Sequence, residues 1–119
     1  MILGEKIHLA AFSVRGFNTA QGYEKITDEI VRAIGMNKVH APVKYDYPVG
    51  GKGGFGWTYI QPITESYIIW DAWPDLCGAY LLICSCKEFD TEVVKSVVDN
   101  HGLDVVDIKT MEMGLPNAK

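Results

Sequence analysis

A glutamate and a serine, Glu65 and Ser66, interrupt the aromatic and β-branched stretch ITESYIIWDAWPD at residues 63–75. A serine hydroxyl becomes a nucleophile only when its surroundings activate it, and no G-x-S-x-G elbow surrounds this one. Cys86 follows twenty residues later, at the end of the apolar stretch CGAYLLICSC. Taken alone, these residues are an ordinary strand-end hydroxyl and a small buried thiol. Chemistry at this pair therefore depends on the residues around it.

The three cysteines do not form a disulfide framework. Cys77, Cys84 and Cys86 fall within ten residues, and an odd, clustered set favours a reducing compartment. Cys84 and Cys86 are two residues apart, so on a strand their side chains share one face. A metal ion needs more ligands than these thiols, and the three histidines lack ligand spacing, so we expect no metal site.

Length and charge narrow the class of protein. The 119 residues, of which 48% are hydrophobic and 22% charged, predict one soluble domain over residues 1–119. The formal net charge of −4 and the lack of a basic run disfavour nucleic acid and anionic membrane surfaces as partners. No stretch approaches the ~18 apolar residues that span a bilayer. The opening MILGEKIHLAAF lacks a signal-peptide pattern, so we expect a cytoplasmic protein.

The apolar pattern predicts the element order strand, helix, four strands, helix, strand. Strands are predicted over 6–14, 39–47, 56–62, 66–72, 77–86 and 104–111. Helices are predicted over 18–35 and 89–102, capped by Asn18 or Thr19 and by Asp90 or Thr91. The glycine-rich stretch YPVGGKGGFG at 47–56 is predicted to be a flexible connection. This order predicts an α+β two-layer sandwich with two helices on one face of a mostly antiparallel sheet.

Residues 63–86 resemble the core of the bacterial and archaeal S-adenosylmethionine decarboxylases. That family carries I-A-E-S-H-x-x-x-H-T-W-P-E, then a glycine-aromatic stretch and a strand that ends in a cysteine. The positions that fall in register without a gap are Ile63, Glu65, Ser66, Trp73 and Pro74. Asp75 replaces the final glutamate, and Cys86 lies at the family's spacing from the serine. The likeness extends weakly upstream, where Gly4 and His8 are similar to the family's glycine-histidine opening.

The resemblance implies a precursor that cleaves itself. The Ser66 hydroxyl would attack the carbonyl of Glu65 to give an ester. Loss of the Ser66 Cα proton and hydrolysis would then leave a pyruvoyl group on residues 66–119 and make Glu65 the end of residues 1–65. The pyruvoyl group would form a Schiff base with S-adenosylmethionine and act as the electron sink for loss of carbon dioxide. Cys86 would return a proton to the α-carbon.

The resemblance also assigns roles around this centre. Thr58 occupies the position of a hydroxyl, eight residues before the serine, that holds the cyclic oxyoxazolidine intermediate. Asp75, one methylene shorter than the family's glutamate, maps to the carboxylate that binds the substrate ribose. The aromatic residues Tyr47, Phe55 and Trp57 either stack on adenine or belong to the core, and the pattern leaves both interpretations open.

Two departures separate this chain from the family pattern. The histidine after the serine is Tyr67, and the processing histidine, five residues after the serine, is Asp71. The reference pKa of aspartate is about 2.6 units below that of histidine, or ~3.5 kcal/mol of proton affinity, so an aspartate base would act more slowly. For Thr58 and Asp71 both to reach Ser66, strands three and four must pair across a tight turn at 63–65, with a bulge near Pro62 and a bulge or twist in strand four.

Three functions therefore stay open. The first is a pyruvoyl-dependent S-adenosylmethionine decarboxylase that supplies the aminopropyl donor for polyamine synthesis. The second is an uncleaved homologue that binds a nucleoside-type ligand or a partner, and the third is a pyruvoyl decarboxylase of another amino acid. The fourth and fifth strands are apolar on both alternations and need cover on two sides. Because family members pair, we expect a homodimer.

Overall fold

The computed structural model describes residues 6–16, 19–49 and 54–114, with side chains for all of these except 47–49, 54 and 55. The strands are β1 (Lys6–Arg15), β2 (Val43–Val49), β3 (Gly54–Ile63), β4 (Ser66–Trp73), β5 (Gly78–Ser85) and β6 (Asp104–Gly114). The helices are α1 (Ala20–Ala33) and α2 (Thr91–Asn100), and a 3-10 turn covers Pro74–Leu76. Within these residues, no helix has the length and apolar character needed to cross a membrane.

The six strands form one open sheet in the order β2-β3-β4-β5-β1-β6. Every neighbouring pair is antiparallel, and both helices pack on one face. The predicted α+β sandwich is therefore confirmed. β4 and β5 are the two central strands, and β4 lies between β3 and β5, so the strand that begins with Ser66 has a neighbour on each side.

Polar caps fix where each helix begins. The Thr19 side chain accepts a hydrogen bond of 3.0 Å from the backbone N–H of Gly22, and the Asp90 side chain accepts one of 2.9 Å from that of Glu92. These bonds satisfy N–H groups that have no partner inside the helix. The apolar stripes of both helices then face the sheet, and the buried side chains are Tyr23, Ile26, Ile30 and Val31 in α1 and Val94 and Val98 in α2.

Side-chain alternation divides the sheet into a core face, which carries the helices, and an open face. On the core face the ring of Tyr23 lies 4.8 Å from that of Trp57 and 4.7 Å from that of Trp70. The indole N–H of Trp70 donates to the Thr27 hydroxyl at 3.0 Å. These contacts join the middle of α1 to β3 and β4. The large apolar strand side chains that are fully buried on this face are Phe12, Ile68, Trp70, Leu81 and Ile83.

Among the described residues, no helix covers the open face. It carries six large side chains that are between 37% and 58% exposed: Val43, Tyr45, Tyr67, Tyr80, Met111 and Met113. A groove of about 350 Å³ crosses it from β4 to β6, with Leu9, Tyr67, Cys84 and Met111 among its lining residues. An apolar surface of this extent is typical of an interface.

The second strand begins later than predicted. The pattern predicts a strand from Val39, but β2 starts at Val43. The backbone N–H of Val39 donates to the carbonyl of Pro62 at 3.3 Å, so this segment follows the end of β3 as a short connection. Val39 is also exposed, so its apolar side chain is not part of a buried alternation. Of the predicted glycine-rich connection, residues 50–53 lie outside the described residues.

Candidate active site

The Glu65–Ser66 peptide lies where β3 turns into β4. Thr64 and Glu65 form a two-residue turn, so Ile63 stands opposite Ser66 as the tight-turn prediction requires. On its other side Ser66 stands opposite Ser85 of β5. The backbone N–H of Cys86 donates to the carbonyl oxygen of Glu65 at 3.0 Å. This donor polarises the same carbonyl that a nucleophile at residue 66 would attack, and it would stabilise negative charge on that oxygen.

Ser66 has a φ of 155°, a value that residues with a Cβ atom rarely adopt. About the N–Cα bond, Cβ lies ~120° from the carbonyl carbon, so the torsion from the Glu65 carbonyl carbon to Ser66 Cβ is only about 35°. At the φ of about −140° of an ordinary antiparallel strand, this torsion is about 100°. A five-membered ring through the hydroxyl oxygen and the carbonyl carbon requires a small torsion. The strained backbone therefore turns the hydroxymethyl group toward the Glu65 carbonyl.

The Glu65 carboxylate lies partly inside the protein. Its Oε2 atom is buried and has no hydrogen-bond partner among the described residues. A buried carboxylate oxygen without a partner is costly, so an arrangement of this kind is retained where a cation or a proton donor is to be bound. Glu65 thus adds an unpartnered acceptor beside the strained serine.

The cysteines differ in their surroundings. Cys86 is half-buried directly after β5, Cys84 is buried, and Cys77 is exposed at the end of the 3-10 turn. The side chains of Tyr67 and Cys84 interact across β4 and β5, and this hydrogen bond, with partial burial, raises the pKa of Tyr67. Cys86 is the cysteine whose backbone contacts the Glu65–Ser66 peptide, through its N–H on the Glu65 carbonyl.

Thr58 and Asp71 form a pair, but not beside Ser66 of the same chain. They are opposite each other in β3 and β4, and the Thr58 hydroxyl donates to Asp71 Oδ1 at 2.6 Å. The register between these strands runs without a shift, so the bulges that the sequence argument requires are absent from β3 and β4. Five residues of extended strand place Asp71 about 17 Å from Ser66. The expected contact within one chain is therefore not formed.

The predicted substrate-binding residues are dispersed. Asp75 is exposed in the 3-10 turn, at the far end of β4 from Ser66. Trp57 is 5% exposed and packs edge-on against Tyr23, which places its ring in the core and not on a binding surface. The side chains of Tyr47 and Phe55 lie outside the described residues. Of the two interpretations that the pattern left open for Trp57, its position supports the one that assigns it to the core.

Two features near these residues have no counterpart in the sequence argument. Trp73 and Tyr80 contact each other edge-to-face at 5.6 Å beside a cavity of about 410 Å³ on the Asp71 side of the sheet. Gln61 is fully buried on the core face of β3 and hydrogen-bonds to the connection between α1 and β2. Gln61 shares its alternation with Trp57, Tyr59 and Ile63. This single polar residue in an otherwise apolar alternation is the sequence signal that could have identified Gln61.

The fold resembles that of a solved enzyme. The chain superposes on the crystal structure of the adenosylmethionine decarboxylase from Aquifex aeolicus VF5 with a TM-score of 0.59, over 99% of this chain and 98% of that chain. The two sequences are 15% identical, so the likeness is one of fold. No family model matches the sequence, and no curated protein does.

Proposed function

We propose that this chain is a self-processing, pyruvoyl-dependent decarboxylase, with S-adenosylmethionine as its substrate. The observation that carries the proposal is the conformation of the Glu65–Ser66 peptide. The φ of Ser66 turns its Cβ toward the carbonyl carbon of Glu65, and the N–H of Cys86 donates to that carbonyl's oxygen. A near-attack geometry and an oxyanion donor are the two aids that an acyl shift requires.

The cleavage is an internal acyl transfer followed by an elimination. The Oγ atom of Ser66 bonds to the Glu65 carbonyl carbon, the C–N bond breaks, and the hydroxyl proton passes to the departing nitrogen, which leaves an ester and a free amine. A base then removes the Ser66 Cα proton. The electron pair forms a Cα=Cβ bond as the Cβ–Oγ bond breaks, and Glu65 departs as a C-terminal carboxylate. Water hydrolyses the resulting dehydroalanine, which releases ammonia and leaves a pyruvoyl group.

Residues of this chain fit the group so formed. When present, the pyruvoyl carbonyl supplies an electron sink for loss of carbon dioxide from an amino acid. Cys86 follows β5 at the junction and is the candidate proton donor, since a thiol is a far better acid than a hydroxyl. The unpartnered Oε2 of Glu65 offers an anionic contact to a cationic substrate.

The base for the elimination requires a second copy of the chain. Asp71 lies about 17 Å from Ser66 along β4, too far to take a proton in the same chain. Two open faces packed by a two-fold axis that crosses β4 midway between these residues would bring Asp71 of each copy over the backbone of Ser66 in the other, where the Cα proton is removed. Packed sheets are about 10 Å apart, a gap that facing side chains fill. The exposed apolar side chains of the open face support this homodimer.

One observation favours the uncleaved homologue as a second candidate. A hydroxyl has one proton to donate, and that of Thr58 is given to Asp71. It is then not available to an oxyanion at Glu65. If this pair does not rearrange on dimerisation, the strained peptide would persist without reacting, and the same surface would serve only for binding.

Intact mass under denaturing conditions separates these functions. The decarboxylase proposal predicts two fragments, residues 1–65 and 66–119, and release of carbon dioxide from carboxyl-labelled S-adenosylmethionine. Ser66→Ala is the control and should remain a single species without activity. A single full-length species in the wild type after prolonged incubation would exclude the decarboxylase. Cleavage without release from this substrate would favour a decarboxylase of another amino acid.

A further inference from the structure

The strained peptide is fixed by the connection between α1 and β2. Lys38 forms an isolated antiparallel bridge with Ile63, and the Thr64 N–H donates to the carbonyl of Asn37 at 2.9 Å. On the other side of Ser66, the Lys87 ammonium donates to the carbonyl of Gly35 at 3.1 Å. Residues 35–40 therefore contact both segments that flank Ser66. We call them the clamp segment.

Gln61 attaches the clamp segment to β3. Its amide nitrogen donates to the carbonyl of His40 at 2.8 Å and to that of Pro62 at 2.7 Å. Two carbonyl acceptors fix the orientation of the amide, because the reversed amide would place its oxygen against both of them. The Val39 N–H donates to the same Pro62 carbonyl at 3.3 Å. Gln61 thus holds the clamp segment at His40, and Thr64 holds it at Asn37.

The burial of Gln61 lowers the stability of the folded protein, so packing alone does not explain a glutamine at this position. It is fully buried, and its Oε1 atom has no hydrogen-bond partner among the described residues. A buried acceptor without a partner destabilises the folded state, and an apolar residue of similar volume would avoid that cost. Local choices that disfavour folding are expected where function requires them. The two carbonyl contacts are what the glutamine provides and an apolar residue could not.

We propose that Gln61 is a positioning residue for the Glu65–Ser66 peptide. Through the clamp segment it holds the turn at Thr64 and Glu65, and this keeps the Ser66 backbone at its φ of 155°. Without that restraint, the turn relaxes and Ser66 takes the φ of an ordinary strand, with its Cβ rotated away from the Glu65 carbonyl. The inference rests on the proposed function for its chemistry, but the restraint itself is measurable without any cleavage.

The test uses Gln61→Leu, which removes both N–H donors of the side-chain amide and puts an apolar side chain of similar size in its place. The three-bond coupling between the amide and Cα protons of residue 66 reports φ directly. It is measured in the uncleavable Ser66→Ala background. We expect a small coupling when Gln61 is intact and a large one, typical of extended strand, in the Gln61→Leu variant. In chains that keep Ser66, the Gln61→Leu change should slow cleavage by about ten-fold or more, as misplacement of reacting groups allows.

Thr27→Val is the matched control. Thr27 is also fully buried and also makes two hydrogen bonds, to the Tyr23 carbonyl and from the Trp70 indole, and neither bond involves the clamp segment. The Thr27→Val variant should lower the midpoint of thermal unfolding while leaving the coupling at residue 66 and the cleavage rate unchanged. If Gln61→Leu does not fold, Val39→Pro is the second variant. The side chain of Val39 is exposed, and proline there removes the N–H that donates to the Pro62 carbonyl. This change should also increase the coupling at residue 66.

The outcomes separate the two proposals. A large coupling with Gln61 intact, or a coupling and cleavage rate that Gln61→Leu leaves unchanged, would overturn the positioning role. If the wild type never cleaves but its coupling is small and Gln61→Leu makes it large, the positioning role stands and the decarboxylase function fails.

Discussion

Complementation between two inactive variants tests whether the candidate site is shared by two copies. Ser66→Ala removes the proposed nucleophile but keeps Thr58 and Asp71, whereas Asp71→Ala removes the proposed base but keeps Ser66. Neither chain should cleave alone. Since Asp71 lies about 17 Å from Ser66 in its own chain, we expect a mixed dimer to contain one complete site, in which the Ser66→Ala chain supplies the base.

The expected yield follows from symmetry. In a two-fold dimer the same patch faces itself, so each mixed dimer has one complete site and one site that lacks both groups. Random pairing of equal amounts makes about half of the dimers mixed, and therefore about half of the Asp71→Ala chains should be cut. These are about a quarter of all chains, and no Ser66→Ala chain should be cut.

The assay is intact mass on co-expressed chains, one of which carries a short N-terminal tag that distinguishes the masses. The control replaces Ser66→Ala by the Ser66→Ala/Asp71→Ala double variant, which has no base to offer and should give no cleavage. A wild type that cleaves, together with co-expressed variants that do not, would refute the shared site and require a rearrangement within one chain. If Asp71 is too weak a base for the wild type to cleave, the same design is run with Asp71→His in the Ser66→Ala chain.

Three further predictions follow from individual contacts. Asp71→His should speed cleavage and Asp71→Ala should abolish it, as measured by intact mass over several days. If no variant at position 71 ever cleaves, residue 71 is not the base. Cys86→Ser should leave cleavage largely intact, because its contact to Glu65 is a backbone N–H, and should cut decarboxylation severely, whereas Cys77→Ser should do little to either; equal losses would assign the thiols to packing. The hydrogen bond from Lys95 lowers the pKa of Asp99, so its stabilising contribution is full above the ordinary aspartate range and is lost as the pH falls through the lowered pKa. Asp99→Asn should therefore cost less than about 1 kcal/mol in denaturant unfolding at pH 7, and this cost should shrink as the pH is lowered toward the lowered pKa of Asp99.

The fold could be predicted because local signals agree with tertiary ones. The strand and helix order follows from alternation and from caps such as Thr19 and Asp90, whose side chains bond the first turns of their helices. The start of β2 was wrong because Val39 has the apolar character of a strand residue, while its N–H bonds to Pro62 across a connection. A pairing of this kind depends on the end of β3, which no local pattern around Val39 describes.

The sequence could nominate candidate residues for the site but not their geometry. Spacing along the chain put Thr58 and Asp71 in one site with Ser66, and the two do meet each other across β3 and β4. Their distance from Ser66 follows from the unbroken register, which a sequence does not specify once bulges are allowed. Neither the φ of Ser66 nor the contacts of the clamp segment could be predicted from the sequence, since both depend on contacts between segments far apart in the chain.

The aspartate at position 71 changes more than the strength of one base. As a carboxylate it takes the only proton that Thr58 can donate, whereas a histidine there could itself donate or accept. If Thr58 is to stabilise the ring intermediate, it must first release Asp71, and the Cys86 N–H is the donor that remains on the Glu65 carbonyl meanwhile. Asp71→His would thus have two effects at once. It would restore a histidine base, and it would remove the carboxylate to which the Thr58 hydroxyl donates its proton. The Thr58→Val variant distinguishes the two effects: it should slow cleavage in the Asp71→His chain, where the hydroxyl no longer donates to a carboxylate, more than in the wild type, where it is already engaged.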